Sequence, residues 1–365
     1  MQLYPALITD ALQTVRYPGN GKTLVEAGMV EDDIRIDGDN VSFTLIFDKP
    51  TDPFIKSMTR AAETAIHTYI SPEVKVTVNV ASRQPAAPKN APVLPGVKNI
   101  IGVSSGKGGV GKSTIASNLA VALAAEGYKV GLLDADIFGP SMPKMFGIED
   151  EQLYIHDVDG RQLIIPIERY GVKLLSIGFV VDKEKAVLWR GSMASNALKQ
   201  LITDADWGEL DYFVIDMPPG TSDIHLTLVQ TLPITGVVVV TTPQEVALAD
   251  ARKGIAMFQE DKVNVPILGL VENMAYFTPA EHPDERYYIF GKEGGVRLAE
   301  KLGVRLLAQI PLVASIADAG DSGKPIALTH GVTAHAFAHL AHEVIDAVAE
   351  RNRELPPTQK VELKH

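Results

Sequence analysis

Residues 106–114 read Gly-Lys-Gly-Gly-Val-Gly-Lys-Ser-Thr. They satisfy the pattern G-x-x-x-x-G-K-[ST] at Gly106, Gly111, Lys112 and Ser113. The segment stands between a short apolar run at 100–104 and a stretch of helical character. Strand, glycine-rich loop and helix in that order predict an α/β fold on a parallel sheet. The chemistry asks for the same order. Gly106, Gly108, Gly109 and Gly111, with the peptide of Val110 among them, let backbone N–H groups turn inward around an anion. The helix behind them adds the positive end of its dipole. On this reading Lys112 reaches the β- and γ-phosphates, Ser113 ligates Mg²⁺, and Thr114 adds an α-phosphate contact.

The rest of the chain after residue 97 repeats the alternation. Residues 130–134, 212–216, 237–241 and 267–272 are short and almost wholly apolar, with helical stretches between them. Continuous apolar strands joined by crossover helices predict a sheet covered on both faces. Ligands of such sheets bind at the carboxyl ends of the strands. The loops that follow the strands are therefore the informative ones. Asp216 ends one strand and is followed by Met-Pro-Pro-Gly220. An Asp there holds Mg²⁺, usually through water, and Gly220 brings a backbone N–H to the γ-phosphate as a switch loop. Another strand ends in Asp134-Ala-Asp136-Ile-Phe-Gly-Pro-Ser141. Thr241 to Gln244 either lines the site or couples the switches.

Composition bounds the remainder. The 365 residues are 46% hydrophobic and 22% charged, enough for a packed core and about two domains. Residues 1–83 read as a small α+β domain: a helix within 3–15, strands at 33–37 and 41–47 around the turn Gly38-Asp39-Asn40, a helix capped by Thr51 or Asp52 with Pro53 near its first position, and a strand at 74–80. Four prolines between 85 and 95 mark a semi-extended linker, taken as 84–96. Residues 97–350 form the phosphate-loop domain and 351–365 a flexible tail. A net charge of −11 disfavours nucleic acid as a partner. No apolar run reaches the ~18 residues of a membrane span, and Met1-Gln-Leu-Tyr-Pro5 lacks a basic n-region and an apolar h-region, so a cytoplasmic location is expected. The chain has no cysteine, which removes every thiolate nucleophile and thiolate-ligated metal site from it.

Lys107, a second lysine inside the loop, resembles the deviant Walker A group of P-loop proteins that includes MinD, ParA and the nitrogenase iron protein. That resemblance implies a homodimer in which Lys107 crosses the interface to the partner's nucleotide. A cation from a second subunit ties neutralisation of the terminal phosphate to dimerisation. It also implies that Asp136 positions or activates the attacking water, that Asp134 supports it near the metal, that Asn273 hydrogen-bonds the adenine edge and that Pro311 packs the base. The segments Asp134–Ser141, Asp216-Met-Pro-Pro-Gly-Thr-Ser-Asp223 and Val271-Glu-Asn-Met274 look like those of the Mrp/ApbC (Nbp35-like) ATPases. Residues 1–83 resemble their MIP18-like (DUF59) domain. The family resemblance implies cytosolic, slowly turning over ATPases that assemble or carry iron–sulfur clusters. They bridge a cluster between two subunits with a C-x-x-C pair shortly after V-E-N-M.

This sequence departs from the family there. Residues 275–291 keep the frame but contain no cysteine. A cluster would need other ligands or a partner's thiolates. Glu281, His282, Asp284 and Glu285 offer oxygen and imidazole for a harder metal, with two copies of His282 meeting at a twofold axis. Three readings follow: an iron–sulfur carrier ATPase; an ATP-switched adaptor acting on assembly or recipient proteins docked through the N-terminal domain; and a MinD- or ParA-like positioning protein. The last is disfavoured by the net charge and by Pro356-Pro357, which breaks any C-terminal membrane helix. Asp33, Arg35, Asp52 and Lys56 read as surface charge. ATP over GTP rests on the resemblance and on the lack of an N-K-x-D signature.

Overall fold

The computed structural model describes residues 3–50, 52–83, 93–137, 139–158, 160–180, 191–279, 282 and 285–361. The chain divides into two compact units, Met1–Ala91 and Pro92–His365.

The first unit holds α1 (Pro5–Leu12), β1 (Arg35–Asp37), β2 (Asn40–Phe47), α2 (Ile55–Tyr69) and β3 (Lys75–Ser82). β1 and β2 form the expected hairpin, with Asp37 opposite Asn40, and β3 adds to β2 in parallel. Alternation along β2 sends Val41, Phe43, Leu45 and Phe47 into a core with Ile8, Leu12, Met58 and Ile66. α1 falls within the expected stretch and stops at Leu12, where Val15, Tyr17 and Leu24 enter extended pairing. Two local expectations need correction. α2 begins at Ile55, not at Pro53: the Asp52 carboxylate accepts the Phe54 N–H at 2.8 Å and holds a turn before the helix, while Thr51 lies outside the described residues. Asp33 and Asp52 are not idle surface charge. Asp33 accepts both the N–H and the hydroxyl of Thr44, and Asp52 accepts the Tyr17 hydroxyl.

The second unit contains β4 (Val97–Ser105), α3 (Lys112–Ala125), β5 (Val130–Asp134), α4 (Met142–Met145), β6 (Tyr154–Val158), β7 (Arg161–Ile165), β8 (Ile167–Arg169), β9 (Val172–Ser176), α5 (Gly191–Thr203), β10 (Leu210–Asp216), α6 (Asp223–Thr231), β11 (Gly236–Thr241), α7 (Glu245–Gln259), β12 (Ile267–Phe277), α8 (Gly294–Leu302), β13 (Leu306–Leu312), α9 (Ala314–Asp321) and α10 (Val332–Glu354). Eight strands make one sheet in the order β13-β12-β11-β4-β10-β5-β9-β8, parallel except for β8 against β9. β6 and β7 form a separate hairpin. Successive residues feed opposite faces. Ile101, Val103, Val214 and Val240 join the core under α3 and α10, while Ile100, Phe213, Ile215 and Val239 join the one under α5, α6 and α7. α3 is buried almost all round, as befits a helix packed between the sheet and α10. Truncating a core side chain such as Phe213, edge-on to Trp207 at 4.6 Å, costs about 3–5 kcal/mol.

Residues 84–92 of the expected linker lie outside the described residues. Val93 and Leu94 pack on the second unit's core, so that unit takes in residues assigned to the linker. The expected tail is also shorter. α10 continues through Arg351 to Glu354 and stops before Pro356-Pro357. Arg351 then holds the Pro356 carbonyl at 2.8 Å and the Thr358 hydroxyl at 2.6 Å, and the Val361 N–H donates to the Val229 carbonyl. Among the described residues no helix is long and apolar enough to cross a membrane.

Candidate functional site

β4 lies in the middle of the sheet. The chain leaves it toward β5 on one side and later fills β11, β12 and β13 on the other. The loop after β4 therefore opens at the switch point where an α/β sheet binds its ligand. Gly106 lies directly on α7: a Cβ there would stand 2.1 Å from the Asp250 carbonyl carbon. Gly111 has φ +81°, and its Cβ would stand 2.2 Å from Asn273 Nδ2. Both positions need glycine, one for close approach and one for conformation as well. Gly108 and Gly109 face open space and Val110 is buried. Gly111 also caps α3, and no side chain caps that helix. Its first amides are thus left for an anion, next to Lys112, Ser113 and Thr114.

Lys112 Nζ donates to Asp216 Oδ1 at 2.5 Å and stands 3.5 Å from Asp136 Oδ2. Ser113 Oγ donates to Asp216 Oδ2 at 2.6 Å. One cation, one hydroxyl and two carboxylates thus meet at the strand ends, all but Ser113 buried. Burial raises Asp216 above the ordinary carboxylate range, against the opposing pull of the Lys112 ammonium. Hydroxyl and carboxylate oxygens are the hard donors that Mg²⁺ prefers, so Ser113 and Asp216 fit that ion.

Strand register explains the next layer. Asp216, Asp134 and Ser176 are Cα partners across the adjacent parallel strands β10, β5 and β9. Asp134 Oδ1 accepts the Asp136 N–H at 3.2 Å. Its Oδ2 accepts the Met142 N–H at 3.2 Å and the Ser176 hydroxyl at 2.8 Å. Burial, and then the neighbouring Asp216 carboxylate, push Asp134 up to about 7. Asp136 differs: its Oδ1 is buried and has no hydrogen-bond partner among the described residues. An unpartnered buried carboxylate oxygen beside a lysine is an acceptor waiting for a donor.

The loop after β10 is sewn to the end of β4. The Met217 N–H donates to the Val103 carbonyl at 3.0 Å, and the Gly220 N–H, expected at the γ-phosphate, donates instead to the Ser105 carbonyl at 2.8 Å because the loop folds back onto the end of β4. Ser105 Oγ in turn donates to the Lys107 carbonyl at 2.9 Å. The Lys107 side chain is half-buried and makes no ion pair among the described residues.

A cavity of about 350 Å³ opens beside the loop, between Gly111 and Thr114 on one side and Pro311 and Ile316 on the other, with Asn273 in its lining. Asn273 is fixed from two directions. Its Nδ2 donates to the Val110 carbonyl at 2.8 Å, and the β12–β13 register slips between Asn273 and Phe277. Met274 within that slip has φ +53°, a local strain of the sort that re-aims side chains beside sites. Glu272 points away. It accepts the Gly295 N–H at 2.7 Å and the Gln309 amide at 2.5 Å, so Gln309 braces β12 while Pro311 and Leu312 line the cavity. Thr242 and Pro243 do not line it; the Pro243 carbonyl lies so close to Gly294 that a Cβ there would stand 2.3 Å from it. A wider open depression of about 700 Å³ at Arg305, Glu343 and Glu350 is bordered by ion pairs, and its lining shares no residue with this cavity.

The loop after β12 is built differently. Phe277 and Tyr287 pair as an isolated antiparallel bridge, and the Arg286 guanidinium lies 4.3 Å from the Tyr276 ring centre. His282 Nδ1 stands 3.7 Å from Glu285 Oε1, both well exposed. Glu281 and Asp284 lie outside the described residues. Among the described residues no three His, Asp or Glu side chains gather as a metal site.

Sequence reasoning passed over Ser176, His225, Ser104, Lys144 and Asp321. Ser176 is visible only once β9 is known to neighbour β5. Lys144 and Asp321 enter the cavity lining because α4 and α9 face it.

Residues 96–348 match the family described as ParA, NUBPL iron-transfer P-loop NTPase, and residues 6–80 match the family described as iron-sulfur cluster assembly protein. An iron-sulfur cluster carrier protein of Synechocystis is 43% identical over 340 residues, covering 92% of this chain and 96% of the relative. The iron-sulfur cluster carrier protein of Escherichia coli is 49% identical over 275 residues, covering 75% and 72%. Among solved structures, a nucleotide-binding protein of Archaeoglobus fulgidus in complex with ADP superimposes with a TM-score of 0.55 at 38% identity, covering 63% of this chain and 88% of that one.

Proposed function

Since the chain belongs to the NUBPL iron-transfer P-loop NTPase family, we propose that it is a Mg²⁺-dependent ATPase of iron–sulfur cluster assembly that works as a nucleotide-switched homodimer. One observation carries the reading. Lys112, Ser113, Asp136 and Asp216 converge at the carboxyl end of the sheet, beside a helix whose first turn no side chain caps.

Each residue then has a task. The amides from Gly108 to Ser113 and the Lys112 ammonium bind the phosphates. Ser113 and Asp216 hold Mg²⁺, which when bound neutralises charge on the β- and γ-phosphates. Asp136 Oδ1, buried and unpartnered, accepts a proton of the attacking water and orients it. Asp134 spends both oxygens on its own loop and on Ser176, which makes it the positioning residue for Asp136 rather than a metal ligand. Lys107, half-buried and unpaired on the same loop, is the cation offered to a second subunit's nucleotide. Asn273 commits its amide nitrogen to Val110, and so presents its carbonyl oxygen as an acceptor. That polarity suits the amino group of adenine and repels the carbonyl oxygen of guanine. Pro311 packs the base from the other wall.

The cluster is cargo, and this chain has no cysteine to hold it. Thiolate ligation must come from the protein it serves. The N-terminal unit, which matches an iron–sulfur assembly family of its own, is the docking module in this reading. The test combines two assays. ADP formation from ATP and from GTP is measured with and without Mg²⁺. Iron and acid-labile sulfide are then counted per dimer after anaerobic reconstitution, with and without Mg-ATP. Mg²⁺-dependent hydrolysis preferring ATP, with neither element above background, is the expected outcome. Stoichiometric iron and sulfide would replace the adaptor with an autonomous carrier and direct attention to Glu281, His282, Asp284 and Glu285. An absence of hydrolysis would overturn the ATPase.

A further inference from the structure

His225 is a buried histidine with no part in the site as described so far. It lies on α6, immediately after the loop that carries Asp216 and Gly220, and its side chain is 1% exposed. Its two ring nitrogens face different elements. The Ser222 N–H donates to Nδ1 at 3.2 Å, and the His225 N–H returns to the Ser222 carbonyl at 3.0 Å. Since a backbone N–H can only donate, Nδ1 is the acceptor and the ring proton sits on Nε2. Nε2 faces the Ser104 hydroxyl at 3.5 Å, the outer edge of hydrogen-bonding range. The imidazole stays neutral, because burial above all, and the Lys112 charge in addition, hold its pKa down at about 4.

Ser104 and Ser105 are the last residues of β4 before the phosphate loop. Ser105 already receives the Gly220 N–H and donates to Lys107. His225 adds a second tie between that strand end and the loop 217–222, anchored at Ser222 on the far side of Gly220. With the Met217 N–H on the Val103 carbonyl, the loop is held at its start, its middle and its end. Phe258 of α7 closes over the imidazole with ring centres 6.0 Å apart.

We propose that His225 is a positioning residue for phosphoryl transfer, fixing the loop 217–222 to the end of β4 so that the Gly220 amide and the Asp216 carboxylate keep their register with the phosphate loop. The inference rests on the ATPase reading above. It assigns His225 to hydrolysis and not to nucleotide affinity, since its ring nitrogens meet Ser222 and Ser104 and neither bonds a residue of the phosphate loop.

Two isosteric substitutions separate the two ties. His225→Asn places an acceptor where Nδ1 stands and keeps the Ser222 bond, but cannot reach Ser104. His225→Gln places an N–H where Nε2 stands and loses the Ser222 bond. The experiment measures ATP affinity, kcat and thermal midpoint for the full chain, together with amide hydrogen exchange over residues 217–222 in the nucleotide-free protein. For His225→Asn, ATP affinity within about twofold of wild type, a kcat lowered about tenfold or more and faster exchange confined to 217–222 are expected. His225→Gln is expected to keep kcat within about threefold while its thermal midpoint falls, through the lost cap. Ser104→Ala should reproduce the Asn phenotype, and the double variant should be no worse than either single one. Wild-type kcat and exchange in His225→Asn would overturn the proposal. So would a parallel loss of affinity, rate and thermal midpoint in both isosteres, which marks a fold residue. If the wild type hydrolyses no ATP, the ATPase reading fails by itself. The exchange comparison then decides the anchor: faster exchange over 217–222 in His225→Asn keeps it, unchanged exchange removes it.

Discussion

Two loops of the same sheet, the one after β4 and the one after β12, reach the functional face by opposite means. The first is fixed by backbone. Gly106 presses on α7, Gly111 admits Asn273, and the register of three parallel strands lines up Asp216, Asp134 and Ser176. At the second, the described residues show one Phe277–Tyr287 bridge, with His282 and Glu285 in solvent. The difference shows where each function's specificity resides. A phosphate site is made of amides and dipoles that the fold orients, so its side chains are few and their positions forced. A cluster or metal site is made of its donor atoms, and when the thiolates are missing a preserved frame does not replace them.

The largest expected effect falls on the first loop. Lys112→Ala leaves the Asp136 and Asp216 carboxylates buried without their cation, a change that costs several kcal/mol in comparable buried pairs. ATP affinity is expected to fall by ~100-fold or more, read by titration with a fluorescent nucleotide. An unchanged Kd would break the comparison, because the backbone cradle would then suffice alone. Lys107→Ala is expected to sharpen it. Binding should stay within about threefold, while hydrolysis drops ~1000-fold or more, the lower end of what a cation supplied from a second subunit is worth. Steady-state ADP release checks this, and an intact rate would remove the trans-acting lysine.

The contrast also decides what was legible in the sequence. The glycine pattern, the apolar runs and the strand-terminal aspartates gave the strand–loop–helix order and most of the central strands, because a covered parallel sheet leaves period and composition little freedom. Pairings between distant strands were not legible. Nothing local says that Ser176 stands beside Asp134, or that Ser104 faces His225, since both depend on strand order and on a crossover. Local capping misled at α2, where Asp52 serves a turn two residues earlier. At the C-terminus, charge read as looseness concealed the last turn of a helix, from which Arg351 ties down the Pro356–Thr358 segment beyond it.

Acidification offers a finer test inside the buried site, because His225 and Asp134 respond with opposite sign. His225 stays neutral to about 4 in the folded chain, against 6.5 ordinarily. Its contribution to stability is present above pH ~6.5 and is lost as pH falls toward 4, by up to ~3 kcal/mol. Asp134 is raised to about 7 from 3.8, so its contribution is present below pH ~3.8 and is lost as pH rises through 7. Between pH 7 and 4 the two offset each other. Urea unfolding should therefore show His225→Asn gaining stability relative to wild type on acidification over that range, and Asp134→Asn losing it. Parallel curves for all three proteins would mean that neither group is shielded as the structure places it.

The smallest effect belongs to the second loop. Two imidazole or carboxylate donors on an exposed turn bind a divalent ion weakly, because ordering the loop offsets most of what two bonds contribute. His282 has Glu285 at 3.7 Å as its neighbour and is 60% exposed at the side chain. His282→Ala is expected to leave the affinity for Co²⁺ or Fe²⁺ within about twofold of wild type, measured by anaerobic titration of the full chain. A loss of tenfold or more would mean that two copies of the loop complete a site together. The segment after β12 would then be a second place where dimerisation assembles chemistry, as Lys107 is proposed to do at the first.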